Sequence, residues 1–335
     1  MDLHAPAPSK WTDTPAPRFV MPDVDAFAEL IRHQGAEVVR CEPTREADVI
    51  HLLQLPDMLL RLGQQHTQWT CMAETLPGHL SFVVPFDVRA GTRFNGVPMR
   101  FGLLPFYGSS MEHISTTQET EFLYISIPER LILSQLVSLC GGFPEYSGDI
   151  CVSAPGPAGM RVLRELVYRM IGTVRAQAEA ADPCMLMTMQ NELVDLLAQL
   201  ASAGLRAGEH PIAPAQRRRA FSMALAYARD TLGTAPQLAD LCAVSGVCER
   251  TLRSLFMEFT GQPPARFLHR LRLHRVRGLL LHSAPSGMSV KRAALDNGFW
   301  DFGHFALQYR ALFGERPSET LAFIGTPELG HAEVE

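Results

Sequence analysis

The sequence predicts an α+β chain. Its strand-rich front half forms an antiparallel sandwich or barrel with flanking helices, and its back half is all α-helix. Three observations carry this reading. Between residues 37 and 127, short apolar or alternating runs are separated by Pro, Gly and Asp clusters, the pattern of half-buried strands joined by turns. Beyond Pro128 the apolar residues recur every three or four positions, the period of one helix face. The back half holds two similar helix-turn-helix units about fifty residues apart, joined by a long helix. A length of 335 residues fits two domains at roughly 100–200 residues each.

Residues 1–20, rich in Pro, Ala and Thr, read as a mobile arm, and 25–34 as a short helix carrying Phe27, Leu30 and Ile31. Strands are expected at 38–39, 49–55, 58–62, 79–86, 97–104 and 121–127. Asn95-Gly96 is the sharpest hairpin signal, because both central positions of that turn accept positive φ. One helix follows through Ile132, Leu136 and Leu139, then two longer ones at 157–180 and 183–203. The last carries Leu193, Leu196, Leu197 and Leu200 on one stripe, suited to dimerisation or to packing on its own domain. The front domain is thus bounded at 21–206. Residues 207–216, with two prolines and a glycine, read as a linker to a back domain at 217–322, followed by a tail at 323–335.

Composition narrows the function. The densest apolar runs, Phe82-Val83-Val84-Pro85-Phe86 and Leu279-Leu280-Leu281, fall far short of the ~18–20 residues a bilayer needs. The first eleven residues contain two prolines and no apolar core, so no secretory signal is expected and the compartment reads as cytoplasm. Seven scattered cysteines with no C-x-x-C predict neither a disulfide framework nor a zinc site. No nucleophile elbow, Walker loop or dinucleotide fingerprint occurs, so no enzyme activity and no cofactor are expected. The net charge of −5 hides an asymmetry: residues 1–210 carry −9, 211–325 carry +7 and the last ten −3. A polyanion would meet the back half.

The first helix-turn-helix unit runs from Leu238 through a turn at Ser245-Gly246 to a second helix ending at Thr260. Leu252, Leu255, Phe256 and Phe259 share one face of that second helix, a stripe to bury. The opposite face presents Arg250, Arg253, Ser254 and Met257, with Glu249 and Thr251 in the first turn. Arginine can grip guanine bidentately, and serine can bond either base or phosphate. The second unit begins at Val290, turns at Asn297-Gly298-Phe299 and continues through a helix at 302–313. Its expected buried stripe is Phe302, Phe305, Tyr309, Leu312 and Phe313; Gly303, His304, Leu307 and Arg310 face outward, with Trp300 just before them. Gly261 and Gly314 close the two recognition helices, as left-handed caps require. The joining helix at 264–282 bears two apolar stripes, Phe267, Leu268, Leu271 and Leu279 on one side and Leu273, Val276 and Leu280 on the other. Arg266, Arg270 and Arg277 remain, suited to phosphates or to water.

On these residues the segment 217–322 resembles the DNA-binding domain of the AraC/XylS family of transcriptional regulators. The resemblance runs through Leu238-Ala239, Gly246-Val247, Arg250-Thr251-Leu252, Leu255-Phe256, Gly261 and Pro264, then Arg272-Leu273 and Leu280. It resumes at Ala294, Gly298-Phe299, His304-Phe305, Tyr309-Arg310, Phe313-Gly314 and Pro317. It implies a domain that binds promoter DNA and activates through RNA polymerase. It also implies a front domain, often a cupin-like barrel, that binds a small-molecule effector or forms a homodimer. Two departures stand out. Cys248 occupies an N-cap where the family commonly has serine, and Gly303 and Leu307 stand where hydrogen-bonding groups are expected. The first unit is therefore expected to read bases, and the second to anchor phosphates and touch thymine methyls.

In the front domain Trp69, Phe82, Phe101 and Tyr124 are candidate effector contacts, since such sandwiches and barrels can hold small ligands. His66, His79 and His113 invite a metal, but no H-x-H pair puts two imidazoles on one strand face. The alternatives are a catalytic metal-dependent cupin fused to a DNA-binding module, or a constitutive dimeric regulator without effector. An effector would act by favouring the front-domain state it binds more tightly.

Overall fold

The computed structural model of the chain describes residues 18–21, 36–43, 47–88, 91–109, 112–117, 120–140, 151–177, 181–205, 215–234, 236–281 and 288–322. The helix expected at 25–34, most of the linker and the tail lie outside them.

Two antiparallel sheets build the front half. The larger contains β1 (Arg18–Met21), β3 (Asp48–Gln54), β4 (Leu59–Gln65), β11 (Thr120–Pro128), β6 (His79–Pro85), β9 (Leu104–Tyr107) and β12 (Cys151–Ser153), in that order. The smaller has the order β2 (Glu37–Arg40), β5 (Trp69–Glu74), β10 (Glu112–Thr117), β7 (Arg93–Phe94) and β8 (Val97–Pro98). Among the described residues no strand is shared between them, so the architecture is an open two-sheet sandwich and a closed barrel is not formed. Arg18, Phe19 and Val20, read as part of an arm, instead pair with His51, Ile50 and Val49 at a sheet edge. The run expected at 97–104 splits between β8 and β9. β5, β10 and β12 were not anticipated. Asn95 (φ 45°) and Gly96 (φ 80°) make the expected hairpin turn.

The larger sheet is buried on both faces, because residues along each strand alternate between two apolar environments. Its outer face (Leu53, Leu60, Leu80, Phe82, Val84, Leu123, Ile125) packs under three helices. These are α1 (Glu129–Cys140), α2 (Gly156–Ala176) and α3 (Pro183–Leu205). The stripe of Leu193, Leu197 and Leu200 is spent in this core. The inner face, with Val83 and Tyr124, meets Phe94, Val97 and Tyr107 across the sandwich.

The back half contains α4 (Ala215–Asp230), α5 (Leu238–Ser245), α6 (Glu249–Thr260), α7 (Pro264–Leu281), α8 (Val290–Asp296), α9 (Phe302–Phe313) and α10 (Pro317–Ala322). α7 is the strut. Phe267, Leu268 and Leu271 bury against the first unit, and Leu273, Val276 and Leu280 against the second. Leu279, assigned to the first stripe, packs with the second cluster. Eighteen residues at 1.5 Å each span about 27 Å.

The outer face of the smaller sheet is not left to solvent. Val39, Met72 and Ile114 enter the same core as Phe221, Phe256, Phe259 and Phe267 of the first unit. Polar contacts register the join. The Thr116 hydroxyl donates to the carbonyl of Phe259 at 3.0 Å, the Arg40 backbone N–H donates to His274 Nε2 at 2.8 Å, and Arg229 pairs with Glu37 at 2.7 Å. The molecule thus stacks helices, sheet, sheet and helices in four layers. The first helix-turn-helix unit forms part of the fourth.

Candidate nucleic-acid interface and effector cavity

The first recognition helix, α6, buries Leu252, Leu255, Phe256 and Phe259 and exposes Glu249, Arg250, Arg253, Ser254 and Met257, with Thr251 half-buried. Gly261 closes it at φ 68°, a conformation that costs a side-chain-bearing residue roughly 1–2 kcal/mol. Arg253 is held along the helix by Glu249, with hydrogen bonds of 2.9 and 2.7 Å. Its guanidinium is therefore already engaged, whereas Arg250 extends from the exposed face. One contributor was missed: Arg217 of α4 pairs with Glu258 and reaches the Ser254 hydroxyl at 3.4 Å. The run Arg217-Arg218-Arg219 was the available signal. The N-cap residue Cys248 makes no side-chain cap bond. Its thiol instead meets the Thr251 hydroxyl at 3.3 Å, and that contact lowers the thiol pKa.

The second recognition helix, α9, is capped properly, with the Asp301 carboxylate accepting the His304 N–H at 3.0 Å. Gly303, His304, Leu307 and Arg310 are exposed as expected, and Trp300 and Leu307 remain 76% and 70% exposed. His304 Nε2 lies 2.8 Å from the Gln308 amide. Phe302 does not join the buried stripe. It is 39% exposed, with the Lys291 ammonium 5.8 Å from its ring, because it stands at the helix start, ahead of the turn that packs on α8.

The strut arginines separate. Arg266 is exposed. Arg277 is buried, paired with Glu315 at 2.6 Å and within 3.5 Å of the Tyr309 hydroxyl, so it serves the second unit's core and no phosphate. Arg270 is half-buried beside Cys41.

Between the two sheets lies a cavity of about 50 Å³ lined by Arg61, Gln65, Trp69, Cys71, Ala73, Val83, Phe94, His113, Ser115, Thr117, Phe122 and Tyr124. Of the four aromatic candidates, it brings together Trp69 and Tyr124. Phe82 points to the other side of its strand and stacks on Phe106 at 5.4 Å, and Phe101 packs with that same helix-covered core. Parity decides this, since Val83 faces the cavity and its neighbour Phe82 cannot. Burial holds the His113 imidazole neutral, with its pKa pushed down to about 4, the nearby Arg61 charge adding to the effect. Burial also pushes the Cys71 thiol up to about 12. β10 shows two faces. His113, Ser115 and Thr117 line the cavity, while Ile114 and Thr116 touch the first helix-turn-helix unit. Among the described residues no three His, Cys, Asp or Glu side chains converge on a point that could hold a metal. His66 and His79 lie away from the cavity lining.

A family model described as a helix-turn-helix domain matches residues 241–322. The chain is 38% identical over 86 residues to the XylDLEGF operon transcriptional activator 2 of Pseudomonas putida, covering 26% of this chain and 53% of that one. It is 43% identical over 70 residues to the HTH-type transcriptional activator RhaS of Escherichia fergusonii, covering 21% and 24%. The crystal structure of a probable AraC family transcriptional regulator from Rhodopseudomonas palustris shares 34% identity over 31% of this chain and 96% of that one, with a TM-score of 0.29. The chain thus spans about half the length of the first of these curated relatives. No described helix is long and apolar enough to cross a membrane. Residues 241–322 thus match a helix-turn-helix domain model, and over its back half the chain is similar in sequence to curated transcriptional activators.

Proposed function

We propose that this chain is a sequence-specific DNA-binding regulator, an activator, whose residues 217–322 grip promoter DNA in two successive major grooves. A small molecule bound in its front domain, residues 21–206, would control it. One observation carries the reading: two recognition helices with exposed faces of Arg, Ser and His, mounted on opposite apolar stripes of one strut. The contact set is Glu249, Arg250, Thr251, Arg253, Ser254 and Met257 in the first groove, and Trp300, Gly303, His304, Leu307 and Arg310 in the second. RNA polymerase and a second copy of the chain are the further partners.

Control would act through β10. A ligand pressing on His113, Ser115 and Thr117 shares that strand with Ile114 and Thr116, which hold the first unit. A ligand that prefers one placement of β10 shifts the population of docked helices, by no more than its differential affinity for the two states. The decisive experiment is footprinting of the full chain on DNA upstream of its own and adjacent genes. Two protected patches about one duplex turn, ~34 Å, apart are expected, weakening steeply with salt. Absence of any footprint at low salt, or a footprint indifferent to Arg250→Ala and Arg310→Ala together, defeats the reading.

A further inference from the structure

One row of side chains runs along α6, with Arg250 and Ser254 exposed and Glu258 half-buried, because positions four apart stack on a helix. Arg217 of α4 meets the far end of that row. Its Nε donates to Glu258 Oε2 at 3.0 Å and its Nη2 to Ser254 Oγ at 3.4 Å, with Nη2 also on Glu258. Nη1 takes part in none of these three bonds. The Arg217 and Glu258 side chains are 34% and 21% exposed, and an ion pair this open to water adds little to stability. What the pair does supply is a guanidinium fixed in orientation beside an exposed serine of the recognition helix.

The front domain backs the carboxylate. The turn between β7 and β8 reaches it at Gly96, where a Cβ would lie 3.0 Å from Glu258 Cγ and 3.2 Å from Oε1. Only a residue without a side chain lets the two approach so closely. The turn is itself fastened to β10. The Asn95 N–H donates to the Ile114 carbonyl at 2.8 Å, and the Ile114 N–H donates to Asn95 Oδ1 at 2.7 Å. Arg93 Nη1 donates to the Gly96 carbonyl at 3.2 Å. Glu258 therefore stands between a tied backbone and the arginine it holds.

We infer that Arg217 is a phosphate contact of the first unit, positioned by Glu258 and by the Asn95-Gly96 turn behind it. The inference rests on the DNA reading above and adds a contact outside both recognition helices. The N-terminal residues of a recognition helix meet base edges, which assigns that end of the row to Arg250. An arginine at the other end, on a neighbouring helix, stands beside the groove wall, where phosphates lie. Arginine suits the task because one edge of its planar fork can stay on a carboxylate while the remaining N–H groups meet a phosphate.

The test uses the full chain on the footprinted operator and on a scrambled duplex. Affinity is followed against salt, and phosphate contacts are mapped by ethylation interference. Arg217→Gln is expected to lower the salt slope by about one and to erase interference at one phosphate flanking the first protected patch. Base preference should be unchanged. Arg217→Lys is expected to keep the slope and blur that phosphate. Arg219→Gln makes the same change of charge from an exposed site about 200° round α4, and it is expected to spare the phosphate. Gly96→Ala is expected to weaken interference at that same phosphate. Gly96→Asn adds the same Cβ on a residue that accepts positive φ, should the alanine variant not fold. Gly78→Ala is the matched control, with φ 71° and nothing within 4 Å of its added Cβ. An unchanged slope and contact map in Arg217→Gln would overturn the phosphate contact. Equal effects of the Gly96 and Gly78 substitutions would overturn the backing by the turn. Either result leaves the DNA reading standing, whereas no binding to any duplex at low salt would overturn both.

Discussion

The two helix-turn-helix units follow one pattern and differ in what surrounds them. The first has charged and hydroxylic side chains outward, an ineffective thiol cap, and an inner face whose core continues into the smaller sheet through Val39, Met72 and Ile114. The second has a proper carboxylate cap, exposed Trp300 and Leu307, and a core closed within the back half by Phe299, Phe305, Tyr309 and Leu312. Repetition of a motif therefore does not mean repetition of its surroundings. The first unit exposes arginines and a serine and shares its core with the smaller sheet, whereas the second keeps its core within the back half.

The largest expected effect tests that asymmetry directly. Phe256→Ala removes a fully buried ring and is expected to cost about 3–5 kcal/mol. In hydrogen exchange it should expose amides of β10 as well as of α6. Phe305→Ala is expected to cost a similar amount while leaving β10 protected, and equal loosening of β10 by both would break the comparison. Next comes specificity. Arg250→Ala is expected to lose about 1–3 kcal/mol of discrimination at one base position, whereas Arg310→Ala weakens all sequences alike and lowers the salt slope by about one. Binding to a set of singly substituted operators distinguishes them.

A third prediction concerns the joint where strut and sheet meet. His274 accepts the Arg40 N–H and lies 5.0 Å from the Phe313 ring. Burial, with Arg40 and Arg277 nearby, pushes its pKa down to about 3. An unfolded histidine titrates near 6.5, so between those values the unfolded chain binds the extra proton. Stability present above about pH 6.5 is lost as pH falls toward 3. His113, pushed down to about 4, acts in the same sense. Asp48, raised to about 6, acts oppositely between about pH 4 and 6. His274→Gln is expected to flatten the acid limb by at most about one proton, or about 1.4 kcal/mol per pH unit, in denaturation followed against pH. The smallest effects lie at the caps. Asp301→Ala is expected to cost about 1 kcal/mol by thermal denaturation, while Cys248→Ser is expected to raise the midpoint. Together they would make the two recognition helices more nearly equal.

Reading the chain residue by residue reached far in the back half, because helix periodicity, glycine caps and a two-striped strut are local. α6, α7 and α9 begin and end within a residue or two of the expected positions. The failures there are equally physical. Phe302 and Arg277 have ordinary helical spacing, and only the packed neighbours show that the phenylalanine is out and the arginine is in. In the front half, β10 alternates Ile114 and Thr116 with His113, Ser115 and Thr117, a mixed run with no clean apolar face, and it was missed for that reason. Its two sides are buried against two different bodies. The effector candidates suffered the same ambiguity: aromatic identity was visible in Phe82 and Tyr124, but not which side of the sheet each would face.

What this sequence determined by itself is the pair of helix-turn-helix units and the strut between them, since each helix depends on contacts between residues three to eight positions apart. Only tertiary structure decided that the smaller sheet seals the first unit, that Arg61 shares a chamber with His113, and that Thr116 bonds Phe259. Those pairs are 52 and 143 residues apart, and strand parity, invisible until the sheets pair, chooses between the two sides of every strand.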